Sequence, residues 1–463
     1  MALSYKQAQE LLEQQGQAHV LRSFDELSDD QKSELLRQIE ELDFDSIAHM
    51  QKLLEEKDQE AAAPEAIEPA EVISLSGDER VKAAASGDAA IAAGKVGVIL
   101  VAGGQGSRLG FDGPKGSFPV GPISGATLFE IHAHKILALE KKHDAEIPFY
   151  IMTSETNDAA TRAFFKENDF FGLSPDRVYF FVQGMWPALW EDGKLVMDRP
   201  DHIFGSPDGH GGTLRALKVN GMLDNMKARG VEILFYFQVD NPLVEVADPA
   251  FIGLHRDRDA QVSVKVCAKR DPDEGLGVVV QRGDRNAVVE YTELTEEQKH
   301  ERRKDGELRF KFGSVAIHVF DRTFLEEESV RTLPIHLAHK KVPYCAEDGQ
   351  TVKPDEPNAY KFEKFIFDSI PDAERSINLE FDRAEEFSPV KNAEGNDSPA
   401  TARRDMIAKW ARWFDVCGVA VPRDEDGQPA VKIEIDPCVA LGPDDMKAHI
   451  GEDFEIDGDV LLD

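Results

Sequence analysis

The chain has 463 residues, enough for more than one domain and a sizeable core. Its 53 basic and 87 acidic side chains leave a net charge of −34, which argues against nucleic acid or an anionic membrane as a partner. The four cysteines, Cys267, Cys345, Cys417 and Cys438, are scattered with no C-x-x-C spacing, so they indicate neither a zinc site nor a disulfide framework and read as buried free thiols.

The first residues, MALSYKQAQELLEQQ, lack the cationic start and apolar core of a secretory signal. No later run approaches a membrane-spanning length, and the expected location is the cytoplasm. From about Ser4 to Lys57 the periodicity is helical: Ser28 can cap a helix, and Leu35, Leu36, Ile39 and Leu42 fall on one face. This reads as a helical appendage packed on the main domain. Residues Asp58 to Pro69, rich in Ala, Glu and Pro, read as a linker.

From Lys95 onward strands alternate with helices: VGVILV, a helix near Leu128 to Leu139, IPFYIMTS, VYFFVQ, a helix near Gly212 to Val219, and ILFYFQV. Such alternation predicts a largely parallel sheet covered on both faces, with ligands beyond the carboxyl ends of its strands. A second set of runs, VSVKVCAK, LGVVVQ, AVVEYTEL and FKFGSVAIHVF, has less helix between members. A polar loop from about Phe387 leads into the helix TARRDMIAKWARWF and short strands near Val431 to Ile435. The expected segments are an N-terminal helical part with its linker (1–75), a central α/β domain (76–386) and a small C-terminal α+β domain (387–463).

Between Val96 and Val120 an apolar run ends in a glycine-dense loop followed by two cations, VGVILVAGGQGSRLGFDGPKGSFPV. Small residues let the amides around Gly103, Gly104 and Gly106 turn toward an anion, and Arg108 and Lys115 add full positive charges. The pattern reads as a polyphosphate cradle. A Walker loop would need Lys and Ser or Thr directly after the last glycine, whereas Gly106 is followed by Ser107, Arg108 and Leu109. A dinucleotide fingerprint fits only loosely, because the gap from Gly106 to Gly110 is one residue too long and Pro114 interrupts the helix it needs.

This loop is similar to that of the sugar-nucleotide pyrophosphorylases, L-x-x-G-G-x-G-[ST]-R-L-G followed by P-K. Within them the chain resembles the UDP-N-acetylhexosamine pyrophosphorylases, a uridylyltransferase family, from the N-terminal helices to at least Arg403. Further matching segments are FFVQGMWPAL, PDGHGGTLRAL, QVDNPLVEVADPAFIG, VVEYTEL, NAYKFEKFIFD and EFSPVKNAEGNDSPATAR, in that order. The resemblance implies a Rossmann-like, GT-A-like nucleotidyltransferase domain with a mixed, mostly parallel sheet. It also implies transfer of uridylyl from UTP to a sugar 1-phosphate, giving a UDP-sugar and pyrophosphate with Mg²⁺.

On that resemblance Arg108 and Lys115 would meet the triphosphate, and Lys391 the sugar phosphate or α-phosphate. Asp240, at the end of ILFYFQV, would ligate Mg²⁺; by itself it is also an ordinary turn-initiating Asp before Asn241 and Pro242. Backbone at Ala102, Gly103, Gly104 and Gly209 and the amide of Gln183 would read the uracil. The sugar would meet His210, Gly277, Glu290, Ser314, Phe365 and Phe367. Two positions depart from the N-acetylhexosamine pattern. His210 stands where those enzymes often have Asn and glucose-type relatives tend to have His, and Ser314 replaces an Asn that bonds the acetamido group. The expected product is UDP-N-acetylglucosamine, with glucose or galactose 1-phosphate as an alternative substrate and a catalytically silent nucleotide-sugar-binding regulator as another reading.

Overall fold

The computed structural model describes residues 3–57, 66–451 and 453–463, so most of the expected linker, residues 58–65, lies outside the described residues. Contacts group the chain into two compact units, each assembled from separated stretches. One comprises Met1–Glu65, Gly184–Gly212 and Thr332–Ile366; the other comprises Ala66–Gln183, Thr213–Arg331 and Phe367–Asp463.

In the first unit the N-terminal helices are α1 (Tyr5–Gln14), α2 (Asp29–Glu41) and α3 (Phe44–Glu56). Ser28 caps α2 through a capping box with Gln31, as its position predicts. Leu35 and Ile39 are fully buried, in a core shared with Leu189, Leu195 and Phe362. Gln17 ties the helices down by donating to the Gly193 carbonyl at 3.0 Å and accepting from the Leu195 amide at 2.9 Å. These partners lie well over a hundred residues further along the chain, beyond the reach of any local pattern.

The second unit carries a ten-stranded mixed sheet among the described residues. Its elements are β1 (Glu68–Pro69), α4 (Gly77–Ala92), β2 (Val96–Val101), α5 (Leu128–His143), β3 (Phe149–Thr153), β4 (Val178–Val182), β5 (Ile233–Gln238), α6 (Pro249–Asp257), β6 (Val262–Ala268), β7 (Val278–Arg282), β8 (Arg285–Val289), β9 (Phe312–Asp321), β10 (Ser376–Glu380) and α7 (Pro399–Val416). The order β5-β2-β3-β4 is parallel throughout, and Val96, Val98, Ile99 and Leu100 of β2 are fully buried, as a strand covered on both faces must be. Beyond β5 the sheet turns mostly antiparallel, with β9 pairing β5, β6 and β7, and β8 closing a hairpin on β7, while β10 runs parallel to β6. The second set of strand-like runs is therefore the antiparallel half of the same sheet.

The C-terminal helix α7 starts at a Ser398 cap with Pro399 at its first turn, and strand Ile433–Ile435 pairs in parallel with Val460–Leu462. All four cysteines are free; Cys267 and Cys345 are buried, Cys417 and Cys438 only partly. Among the described residues no helix is long and apolar enough to cross a membrane.

Candidate functional site

The glycine loop leaves the carboxyl end of β2 and is fastened from behind. The turn after β3 supplies the fasteners: Ser154 Oγ donates to the Gly103 carbonyl at 2.8 Å, and Asn157 Nδ2 donates to the carbonyls of Ala102 at 2.8 Å and Gly104 at 3.2 Å. With three successive carbonyls engaged, the amides of Gly103 and Gly104 have no backbone acceptor among the described residues. A Cβ on Gly104 would meet nothing within 4 Å, so the backbone at this one position faces open space. Ser154 and Asn157 had no place in the sequence reading. Their signal was the polar cluster Ser154–Glu155–Thr156–Asn157 directly after an apolar strand.

The loop then doubles back. Gly106 donates to the Gly113 carbonyl at 2.9 Å and Lys115 to the Gly104 carbonyl at 3.1 Å, with Gln105 bridged to Pro114. Gly110 ends the intervening turn at φ 67°, a left-handed conformation that glycine adopts without strain. The doubling fixes Lys115 beside the glycines although eleven positions separate Lys115 from Gly104. Arg108 is exposed on the turn and makes no ion pair among the described residues.

Gln183 follows β4 and is 7% exposed. Its amide lies on Gly103, where an added Cβ would sit 2.8 Å from Nε2, so a larger residue there would have to displace the Gln183 amide. Asp240 follows β5, and its carboxylate lies 3.9 Å from the Lys115 ammonium. The Asp240 carbonyl accepts from the Val390 amide at 2.8 Å, which sets Lys391 next to it along the chain. Asn241 locks this junction: Nδ2 donates to the Glu386 carbonyl at 2.6 Å, and Oδ1 accepts from the Ser388 amide at 3.1 Å. Beneath it Lys265, fully buried on β6, is enclosed by Asp248 at 2.8 Å and Glu386 at 2.6 Å. Burial opposes its charge, but the two carboxylates win and hold the amine above its ordinary value. A lysine in the strand VSVKVCA carried no such signal in the sequence.

Gly277, Glu290 and Ser314 come together in the antiparallel half. Ser314 donates its amide to the Gly277 carbonyl at 2.8 Å, and a Cβ on Gly277 would lie 3.1 Å from Glu290 Oε1. Ser314 is 9% exposed and sits by a β-bulge where β9 changes register against β6, with Ala316 at φ 57°. Phe367 is buried in the second unit, in the turn Ile366–Asp372.

Gly209, His210 and Phe365 come together separately, in the first unit. The Gly211 amide donates to the Lys364 carbonyl, and the Lys364 amide to Asp208, each at 2.8 Å. His210 Nδ1 accepts from the Ile366 amide at 3.1 Å, and its ring stacks on Phe365 at 5.3 Å. Burial, with His336 nearby, lowers the imidazole to about 4, so it is neutral at physiological pH.

Residues 43–398 match the family model described as UTP–glucose-1-phosphate uridylyltransferase. The chain belongs to this family. Among its relatives is the UDP-N-acetylhexosamine pyrophosphorylase-like protein 1 of Homo sapiens, 39% identical over 389 residues that span 79% of this chain and 77% of that one. The UDP-N-acetylglucosamine pyrophosphorylase of Saccharomyces cerevisiae is 37% identical over 385 residues, 80% and 79% of the two chains. The solved UDP-N-acetylglucosamine pyrophosphorylase of Trypanosoma brucei superposes with a TM-score of 0.81 at 28% identity, covering 95% of this chain and 93% of that one. The mixed α/β sheet is thus the fold of this family member's solved relatives.

Proposed function

We propose that this chain is a uridylyltransferase that joins UTP and N-acetylglucosamine 1-phosphate into UDP-N-acetylglucosamine and pyrophosphate. The observation that carries the reading is the fastened glycine loop, with Gln183 seated on Gly103 and Lys115 paired to Asp240 in a chain 37% identical to a named pyrophosphorylase. A phosphate oxygen of the sugar 1-phosphate attacks the α-phosphorus, and the bond to the β,γ-pyrophosphate breaks. The nucleophile is already ionised, so no general base is required, and the protein's work is positioning and charge neutralisation.

In this reading the open amides of Gly103 and Gly104 and the side chains of Arg108 and Lys115 take the triphosphate. Lys391 takes the sugar phosphate or α-phosphate, and Gln183 meets the uracil edge. Gly277 and Glu290 meet the sugar hydroxyls. Asp240 is the candidate for Mg²⁺, and the donor set fits: one hard carboxylate oxygen here, belonging to no three-ligand cluster among the described residues, leaves the other positions to phosphate and water. When bound, the cation neutralises charge on the phosphates.

Glucose 1-phosphate is the second reading, favoured by Ser314, a short side chain where an acetamido group would need a partner. Pyrophosphate release by the purified protein, with UTP and a panel of sugar 1-phosphates, tests both. Release with none of them would remove the activity and favour a silent nucleotide-sugar-binding regulator.

A further inference from the structure

Between β6 and β7 of the second unit the chain turns through residues 269–277, and in that turn a carboxylate, Glu274, is buried at 9% exposed. Two arginines enclose it. Arg383, opening the short helix Arg383–Glu386, donates to its two oxygens at 2.6 and 3.1 Å, and Arg270 donates through Nε at 2.9 Å and through its own backbone amide at 2.8 Å. Burial alone would raise the Glu274 carboxyl, but hydrogen bonds from Arg383 and the Arg270 amide hold it below its ordinary value. Charge-assisted bonds from both sides fix its place.

Arg270 also reaches Asp397, donating through Nη2 to Oδ1 at 3.2 Å across 127 positions. Asp397 closes the loop that starts at Lys391: its carbonyl accepts from the amides of Lys391 at 2.7 Å and Asn392 at 3.0 Å. It does so at φ 55°, a left-handed conformation that Asp tolerates better than most side chains. Residues 392–396 between them are exposed, so the Asp397 closure is what ties this loop down. At the root of the loop the Lys391 ammonium lies 5.9 Å from the centre of the Phe387 ring, and the Arg383 guanidinium lies over the same ring at 5.0 Å. The bridge Asp397–Arg270–Glu274–Arg383 thus joins both ends of the Lys391 loop to the turn that leads, three residues on, to Gly277.

We propose that Arg270 and Glu274 are positioning residues that hold the Lys391 ammonium in register with Gly277, so that one fixed frame meets both the phosphate and the ring of a sugar 1-phosphate. This rests on the reaction proposed above, and neither residue touches substrate. A sugar 1-phosphate carries its charge and its hydroxyls at a set separation, so the spacing from Lys391 to Gly277 governs how well it is held. UTP, taken by the glycine loop, does not depend on the bridge.

Steady-state kinetics of pyrophosphate release by the full chain tests this, together with amide hydrogen exchange across residues 391–397. Arg270→Gln should lower kcat/KM for the sugar 1-phosphate about fivefold, the most that an ion pair this exposed is worth, with KM for UTP changed by less than about twofold and the melting temperature unchanged. Glu274→Gln, which keeps the shape, should show the same selectivity. Arg270→Lys should not restore the rate, because one ammonium cannot join two carboxylates. Asp397→Asn should match Arg270→Gln and add nothing to it in the double variant. Exchange across 391–397 should be faster in each of these variants. Equal losses for both substrates, full activity of Arg270→Lys, additive effects in the double variant or unchanged exchange would each overturn the proposal. A wild-type protein that releases no pyrophosphate would overturn the proposed reaction and this inference together, whereas any of the former results in an active enzyme overturns this inference alone.

Discussion

Two glycine-rich loops in this chain look alike as sequence and differ in physics. In the first, GGQGSRLG, carbonyls are bound from behind, Gly104 meets open space, and amides are left available. In the second, DGHGG, the glycines are spent on packing. A Cβ on Gly209 would sit 2.4 Å from the Lys364 carbonyl oxygen, and one on Gly212 would sit 2.0 Å from Asp208 Oδ1. Glycine density therefore marks close backbone approach in both, and only the partners tell whether that approach is to a ligand or to the protein itself.

The largest effect that separates the loops is on turnover. Lys115→Ala is expected to lower pyrophosphate release roughly 10²- to 10³-fold, about 2.7–4 kcal/mol for one preorganised charge donor, at an unchanged melting temperature. Turnover near wild type would remove the first loop from the phosphates. Asp240→Asn should abolish the response to Mg²⁺ along with most activity, even at saturating UTP, because the amide keeps the shape and loses the charge. Superimposable Mg²⁺ titrations for the two proteins would reduce Asp240 to a turn residue.

Next in size is a reciprocal pair of alanines. Gly209→Ala puts a side chain at φ 84° against backbone, and should cost about 1–3 kcal/mol of stability in a denaturant melt. Gly104→Ala, in open space, should leave the melt nearly unchanged and raise KM for UTP. The comparison between the loops fails if the two substitutions exchange their effects. The smallest expected effect is at Ser314. Asn there should raise the ratio of kcat/KM for N-acetylglucosamine 1-phosphate over glucose 1-phosphate, and Ala should lower it, since an unpaired buried polar group costs about 1–3 kcal/mol. A ratio that stays fixed across the three proteins would take Ser314 out of the sugar pocket.

By itself the sequence determined many of the strands and helices, because their signals are local: the buried run VGVILV, the cap at Ser28, and the alternation that puts β2 to β5 into a parallel stack. It also determined the family, because several motifs keep one order along the chain. Tertiary structure alone decided which groups meet. The fasteners Ser154 and Asn157 reach the glycine loop from more than forty positions away, and Asn241 joins Asp240 to the Lys391 segment across about 145. Lys265 looks like a misplaced charge in a strand until Asp248 and Glu386 close around it. Hydrogen bonds and ion pairs act over about 3 Å in space whatever their separation in sequence, so a pattern of period two or 3.6 carries no record of them.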